Sequence, residues 1–165
     1  MLRTARPKDR AAVEAIVNAA YSTYVERIGK PPGPMLDDYA GLIAAGVVSV
    51  LEEPNCVIAA LIVLLPKPDH LLLDNIAVHP DRQGRGLGRR LIAFAESEAR
   101  RRGYAELRLY THERMTENIA LYTRLGFRET GRGHDAGYDR VFMTKPIGAG
   151  SRWRIILSTP VAERF

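Results

Sequence analysis

The run Gln83-Gly84-Arg85-Gly86-Leu87-Gly88, with Arg82 before it and Arg89 after it, has the residue types needed to hold a phosphate. Glycines without Cβ atoms let backbone N–H groups point inward and approach an anion closely. A helix opening in the loop would add about half a unit of positive charge at its N-terminus. Arg82, Arg85 and Arg89 would supply charge at the rim. The same glycines would equally serve close strand-to-helix packing, so the loop alone does not decide. Two common phosphate loops are excluded. A P-loop needs Lys then Ser or Thr after its second glycine, and here Gly88 is followed by Arg89 and Arg90. A dinucleotide fingerprint needs Gly-x-Gly-x-x-Gly inside a parallel βαβ unit, whereas Gly84, Gly86 and Gly88 alternate behind strands that read as antiparallel.

The elements that must position this loop are legible from periodicity. Residues 2–5 read as a short strand. Pro7 and Asp9 suit a helix start, and Ala12, Val13, Ile16, Val17 and Ala20 continue at helical spacing to about Ile28. Gly29 and Pro31-Pro32-Gly33-Pro34 break that helix, and residues 36–45 form a second, shorter one. Residues 47–52, 56–65 and 71–78 are β-rich apolar runs separated by turn residues, hence three successive antiparallel strands. A helix over 86–102 places Leu87, Leu91, Ile92, Ala95 and Ala99 inward and ends at Gly103. A strand at 105–111, a helix at 116–125 closed by Gly126, and a hairpin of 127–132 with 138–145 complete the order β-α-α-β-β-β-α-β-α-β-β.

At 165 residues the chain is expected to be one domain over 1–147 followed by a tail over 148–165. In that tail, residues 153–157 are either one more strand, able to pair in a homodimer, or part of a loose end. Hydrophobic residues at 46% and charged residues at 26% fit an ordinary globular chain. Cys56 is the single cysteine, so no intrachain disulfide forms. Arg3, Arg6, Lys8 and Arg10 interrupt any signal peptide, and no run is apolar enough to span a membrane. A cytoplasmic setting is the expectation. The net charge of +5 favours an anionic partner, either a nucleotide cofactor or a nucleic acid.

Three motifs in order resemble the GNAT superfamily of acetyl-coenzyme A dependent N-acetyltransferases. Leu73-Asp74-Asn75-Ile76-Ala77-Val78-His79-Pro80 looks like the family's central strand and exit. The run from Gln83 to Gly88 is similar to its Gln/Arg-x-x-Gly-x-Gly/Ala loop, and Leu121-Tyr122-Thr123-Arg124-Leu125-Gly126-Phe127 resembles its second signature. The resemblance covers residues 1 to about 147 and implies an α+β fold with a mixed, mostly antiparallel central sheet flanked by helices. It also implies acetyl-coenzyme A as co-substrate, an amine acceptor, and direct attack within a ternary complex.

On that resemblance Ile76, Ala77 and Val78 pair with the pantetheine arm like an added strand. A backbone N–H near Val78 meets the developing oxyanion, and the loop from Gln83 to Arg89 holds the pyrophosphate. The family often has Asn seven residues before the signature tyrosine. Here that place is Met115, while Asn118, one helical turn from Tyr122, offers an amide from a neighbouring position or simply solvates the helix.

Acyl transfer from a thioester to an amine requires a neutral amine, a stabilised oxyanion and a proton for the leaving thiolate. Tyr122 is the candidate acid, since a phenol with a pKa near about 10 can protonate a thiolate whose conjugate acid lies near about 8.5. Asp74 is the candidate base, acting through water, and strand alternation would put it on the face of Ile76 and Val78. Glu26, Asp37 and Asp38 could attract a cationic amine, or serve as caps and solvated positions. Cys56 reads as core or edge, and His70, His79, His112 and His134 have no metal-ligand spacing. Two other readings remain: a non-catalytic acetyl-coenzyme A sensor, and a basic nucleic-acid-binding domain resting on Arg100-Arg101-Arg102 and the tail arginines Arg152 and Arg154.

Overall fold

A computed structural model describes residues 1–148. The strand proposed at 153–157, and with it the tail's part in pairing, lies outside the described residues. Seven strands are formed: β1 (Leu2–Thr4), β2 (Val48–Glu52), β3 (Ile58–Pro66), β4 (Leu71–Val78), β5 (Glu106–His112), β6 (Arg128–Asp135) and β7 (Tyr138–Pro146). Four α-helices accompany them: α1 (Arg10–Ile28), α2 (Tyr39–Ala44), α3 (Leu87–Arg101) and α4 (Thr116–Arg124). The element order is the one read from the sequence. The second helix is shorter than expected because residues 36–38 are non-helical and Asp38 caps α2 by accepting from the Gly41 N–H at 3.1 Å.

The sheet runs β1-β2-β3-β4-β5-β7-β6, antiparallel throughout except for β4 and β5, which α3 connects in parallel. Period-two alternation gives each strand two faces. Ala60, Ile62 and Leu64 of β3 join Leu91, Ile92, Ala95 and Ala99 of α3 on one side. Leu61 and Val63 join Val13, Ile16, Val17 and Tyr21 of α1, with Tyr39 and Ile43 of α2, on the other. Each fully buried Leu or Ile contributes roughly 1.5–3 kcal/mol, so two separate apolar layers clamp the sheet.

β4 and β5 pair only at Leu71↔Leu107, Leu72↔Arg108 and Leu73↔Leu109, then part. Polar contacts hold α1 and α2 beside the opening. The Tyr21 hydroxyl donates to Asn75 Oδ1 at 2.7 Å, and Asn75 Nδ2 donates to the Tyr39 hydroxyl at 2.9 Å. Tyr39 in turn donates to the Pro34 carbonyl at 2.8 Å. Asn75 is buried, so both halves of its amide depend on these tyrosines. Asn75→Ala is expected to cost about 2–4 kcal/mol in urea unfolding, because it removes two buried hydrogen bonds and leaves a void. A loss under about 0.5 kcal/mol would show the network to be dispensable.

Candidate active site

Beyond Leu73 the β5-facing edge of β4 has no partner strand. The Ile76 carbonyl accepts from the Tyr21 hydroxyl at 3.2 Å, and the Val78 carbonyl accepts from the Gln83 side-chain amide at 3.3 Å, so both point away from β3. N–H and C=O of one strand residue point the same way, which leaves the Ile76 and Val78 N–H groups facing the gap. By the same alternation Ala77 turns its backbone toward β3, opposite Leu61.

The glycine loop follows. Gly84 and Gly86 have φ of +77° and +76°, where a side chain would be strained. A Cβ added at Gly84, Gly86 or Gly88 would meet open space, so close packing does not explain these glycines. Helix α3 starts without a side-chain cap, leaving the N–H groups of Leu87, Gly88 and Arg89 without helical partners. Together with Ile76 and Val78 they border a cleft of about 740 Å³ that reaches Tyr24 and Arg27 of α1 and Tyr122 of α4.

Arg82 and Arg89 line this cleft, but the exposed Arg85 side chain does not; Arg124, which the sequence did not single out, takes that part. Arg82 is half-engaged by Glu53 at 3.0 Å. Arg89 and Arg124 make no ion pair among the described residues, which makes them the free cations of the cleft.

A second, smaller cavity of about 50 Å³ lies on the α1 and α2 side of the sheet, and Tyr122 and Asn118 line both spaces. Tyr122 is buried, edge-on to Phe127 at 5.8 Å between ring centroids. Burial pushes its phenol well above the usual value, so it stays protonated at neutral pH. Asn118 directs its amide at Met115 Sδ, 3.6 Å away.

Asp74 does not lie on the face of Ile76 and Val78. The β3–β4 register passes from Val63↔Asn75 to Leu64↔Leu73, so Asp74 is the extra residue of a β-bulge. Alternation breaks there: Ile76 and Val78 pack toward α3, while Asp74 meets the Tyr110 hydroxyl, which donates to its Oδ1 at 2.6 Å. The carboxylate therefore enters the small cavity.

Among the residues of that cavity not singled out as site residues from sequence are Tyr110, Tyr138 and Arg140 as a cluster, and Asn75 behind them. The pattern that reveals the cluster is two-fold alternation read across paired strands. His112↔Arg140 and Tyr110↔Phe142 are opposite pairs on β5 and β7, so Tyr110 and Arg140 are diagonal neighbours on one face. The Arg140 guanidinium lies 4.1 Å from the Tyr110 ring centroid. His112 sits edge-on to Tyr138 at 6.2 Å, and its Nδ1 accepts from the Arg114 N–H at 3.1 Å.

Of the acidic candidates, Asp37 lines neither space but lies close enough to Asp74 and Arg140 to feel their charges. Removal of its carboxyl from bulk water, together with the nearby Asp74 charge, pushes it up to about 6 even though the residue remains partly open to solvent. Asp38 is the α2 cap, and Glu26 is exposed and lines neither space. Cys56 is neither core nor edge-strand: β3 begins at Ile58, and Cys56 is exposed in the preceding turn with φ +60°. His79 caps the turn after β4 by accepting from the Asp81 N–H at 3.2 Å.

Comparison with known proteins agrees with this geometry. The profile of the acetyltransferase (GNAT) family matches residues 13–127. A [ribosomal protein bS18]-alanine N-acetyltransferase of Salmonella typhimurium is 40% identical over 88 residues, a match spanning 48% of this chain and 57% of that protein. The solved structure of the ribosomal-protein-S18-alanine N-acetyltransferase from Escherichia coli superimposes with a TM-score of 0.70 at 26% identity, covering 94% of this chain and 99% of that one. A PaiA N-acetyltransferase from Thermoplasma acidophilum, solved in complex with coenzyme A, shares the fold at 15% identity, with a TM-score of 0.73 over 88% of this chain and 98% of its own. The seven-stranded, mostly antiparallel sheet with its flanking helices is the fold of these enzymes, and the chain belongs to the acetyltransferase (GNAT) family.

Proposed function

We propose that the chain moves an acetyl group from acetyl-coenzyme A to an amine by direct attack within a ternary complex. The observation that carries this reading is the position of Tyr122, buried between a long cleft with an unpaired strand edge and a small cavity holding a carboxylate. A solved relative of the same fold holds coenzyme A, and the matched stretch of the bS18 enzymes makes an acetyl donor the natural one.

The residues present fit such a donor. The Ile76 and Val78 edge can pair with an amide-bearing arm, as in strand addition. The uncapped start of α3, the open loop glycines Gly84, Gly86 and Gly88, and the cations Arg89 and Arg124 suit a pyrophosphate. Gln83 is held to the Val78 carbonyl and fixes the start of the loop, and Asn118 stands beside Tyr122 at the inner end. Acetyl-coenzyme A would supply an activated acyl group as a thioester.

In the reaction a C–N bond forms and the C–S bond breaks. Asp74 takes the proton lost by the amine, through a water. The Val78 N–H is the donor aimed at the oxygen on which charge develops. Tyr122 gives a proton to the leaving thiolate; burial keeps that proton on the phenol at rest and at the same time makes the phenol a weaker acid.

The nucleic-acid reading loses its main support. Arg100 pairs with Glu96 at 3.3 Å, and Arg101 and Arg102 pair with Glu98 at 2.7 and 3.1 Å, so the triplet carries its own counter-charges. A cytoplasmic setting is consistent with relatives that act on a ribosomal protein, and no helix among the described residues is long and apolar enough to cross a membrane.

Thiol release from acetyl-coenzyme A with an amine panel tests the reading directly. Tyr122→Phe and Asp74→Asn should each lower kcat about 100-fold or more, with acetyl-coenzyme A affinity by calorimetry changed less than about threefold. If both variants turn over at the wild-type rate, these roles are wrong.

Asp37, whose carboxyl lies near Asp74, gives a pH expectation. Asp37 is ionised above about 6 and then attracts an ammonium group, so the acceptor KM should rise as pH falls from 7 to 5. Asp37→Asn should flatten that rise. Because the folded-state value lies above the ordinary 3.8, ionisation of Asp37 opposes folding between about pH 4 and 6, and the variant should be no less stable at pH 7.5. An unchanged KM profile in the variant would exclude the role.

A further inference from the structure

Resting on that acyl-transfer reading, we propose that the acceptor is an amino acid: a small amine whose free carboxylate is gripped by Arg140 while its amine faces Asp74. The cavity has opposite charges at its two ends with one tyrosine between them. Tyr110 donates its hydroxyl to Asp74 at 2.6 Å, and its ring carries the Arg140 guanidinium at 4.1 Å.

Arg140 is not spent on the fold. Its side chain is 14% exposed, and the carboxylate near it, Asp135, is 64% exposed at the tip of the β6–β7 hairpin. Asp135 Oδ2 is 3.1 Å from Nε but off the N–H direction, so that buried N–H makes no hydrogen bond. A buried guanidinium donor without an acceptor costs free energy that a ligand oxygen would recover. A guanidinium also presents a fixed fork that matches a carboxylate in bidentate fashion. Spermidine-like or aminoglycoside-like acceptors, which are cationic throughout, would bring a like charge toward Arg140.

The contacts beside the small cavity argue against a protein N-terminus. The cavity mouth is strapped. Lys30 donates to the Gly137 carbonyl and lies 4.0 Å from the Tyr138 ring centroid, and the Tyr138 hydroxyl donates to the Pro31 carbonyl at 2.7 Å. An emerging polypeptide would have to part these contacts, whereas an amino acid would be enclosed by them.

The test compares each amino acid from alanine to phenylalanine with its decarboxylated amine, its carboxamide and a dipeptide beginning with the same residue. Steady-state kcat/KM is measured for wild type, Arg140→Met and Arg140→Lys. Wild type should favour the amino acid over its three analogues at least 10-fold, and Arg140→Met should abolish that ratio, with Arg140→Lys in between. The ratio is independent of the fraction of folded enzyme, so a destabilised variant still reports. Calorimetric titration of the same compounds onto the protein with coenzyme A separates the two readings. Amino acids that bind wild type but not Arg140→Met, without turnover, uphold the Arg140 carboxylate site and sink both the acetyl-transfer reading and the acceptor role. Amines or dipeptides that perform as well as amino acids, or a preference that Arg140→Met leaves intact, overturn the assignment.

Discussion

The parallel contact between β4 and β5 lasts three residue pairs, and the functional features all lie where it ends. Had the two strands paired along their length, the Ile76 and Val78 edge would be satisfied by β5 and no cleft would exist. Parting the strands leaves strong hydrogen-bonding groups without partners, which is unfavourable unless water or a ligand meets them. The bulge at Asp74 makes the parting abrupt. It also sends an acidic side chain to the face opposite its regular position, so one backbone irregularity both opens the sheet and supplies the carboxylate.

An open sheet of this kind needs external bracing. The Tyr21–Asn75–Tyr39 chain ties α1 and α2 to β4 just past the bulge, and Pro34 is drawn in through Tyr39. On the far side, Lys145 of β7 donates to Glu96 of α3 and to the Leu125 carbonyl, both at 2.6 Å, fixing α3 against the end of α4. Tyr122 is thus carried on a helix clamped at its C-terminal end, with Phe127 against its ring. The polar bonds that secure the gap are mostly buried or half-buried, where their geometry is held more firmly than on the surface.

Periodicity and turn chemistry made the element order legible, and the spacing of Gly84, Gly86 and Gly88 was enough to single out the loop that opens α3. Reading Asp74 failed for a definite reason: a bulge shifts parity by one residue, and no residue type in Leu73-Asp74-Asn75 announces it. The second-helix boundary moved because Asp38 is a cap, which a sequence alone does not separate from a solvated carboxylate. Arg85 and Arg124 exchanged parts because the direction of a loop side chain depends on backbone dihedrals that pattern does not encode. Arg140 and Tyr110 were readable only as members of their strands. Their partnership depends on the β5–β7 register, which joins residues 30 apart in the chain.

Charge then explains why two cavities that meet at Tyr21, Ile76, Asn118 and Tyr122 do not compete for the same ligand. The long cleft carries the unpaired Arg89 and Arg124 and the free N–H groups at the start of α3, with Glu117 of its lining paired to Arg27. The small cavity holds Asp74, with the Asp37 charge nearby, and Arg140 faces them. An anionic cofactor is therefore drawn to the first and repelled from the second, and an ammonium group experiences the reverse. Tyr122, uncharged and buried, stands at that boundary beside Tyr21 and Asn118, and neither field ionises it. A carboxylate or lysine in its place would be pulled toward one side and would have to be desolvated to stay. A neutral hydroxyl can hold a transferable proton there at far smaller cost.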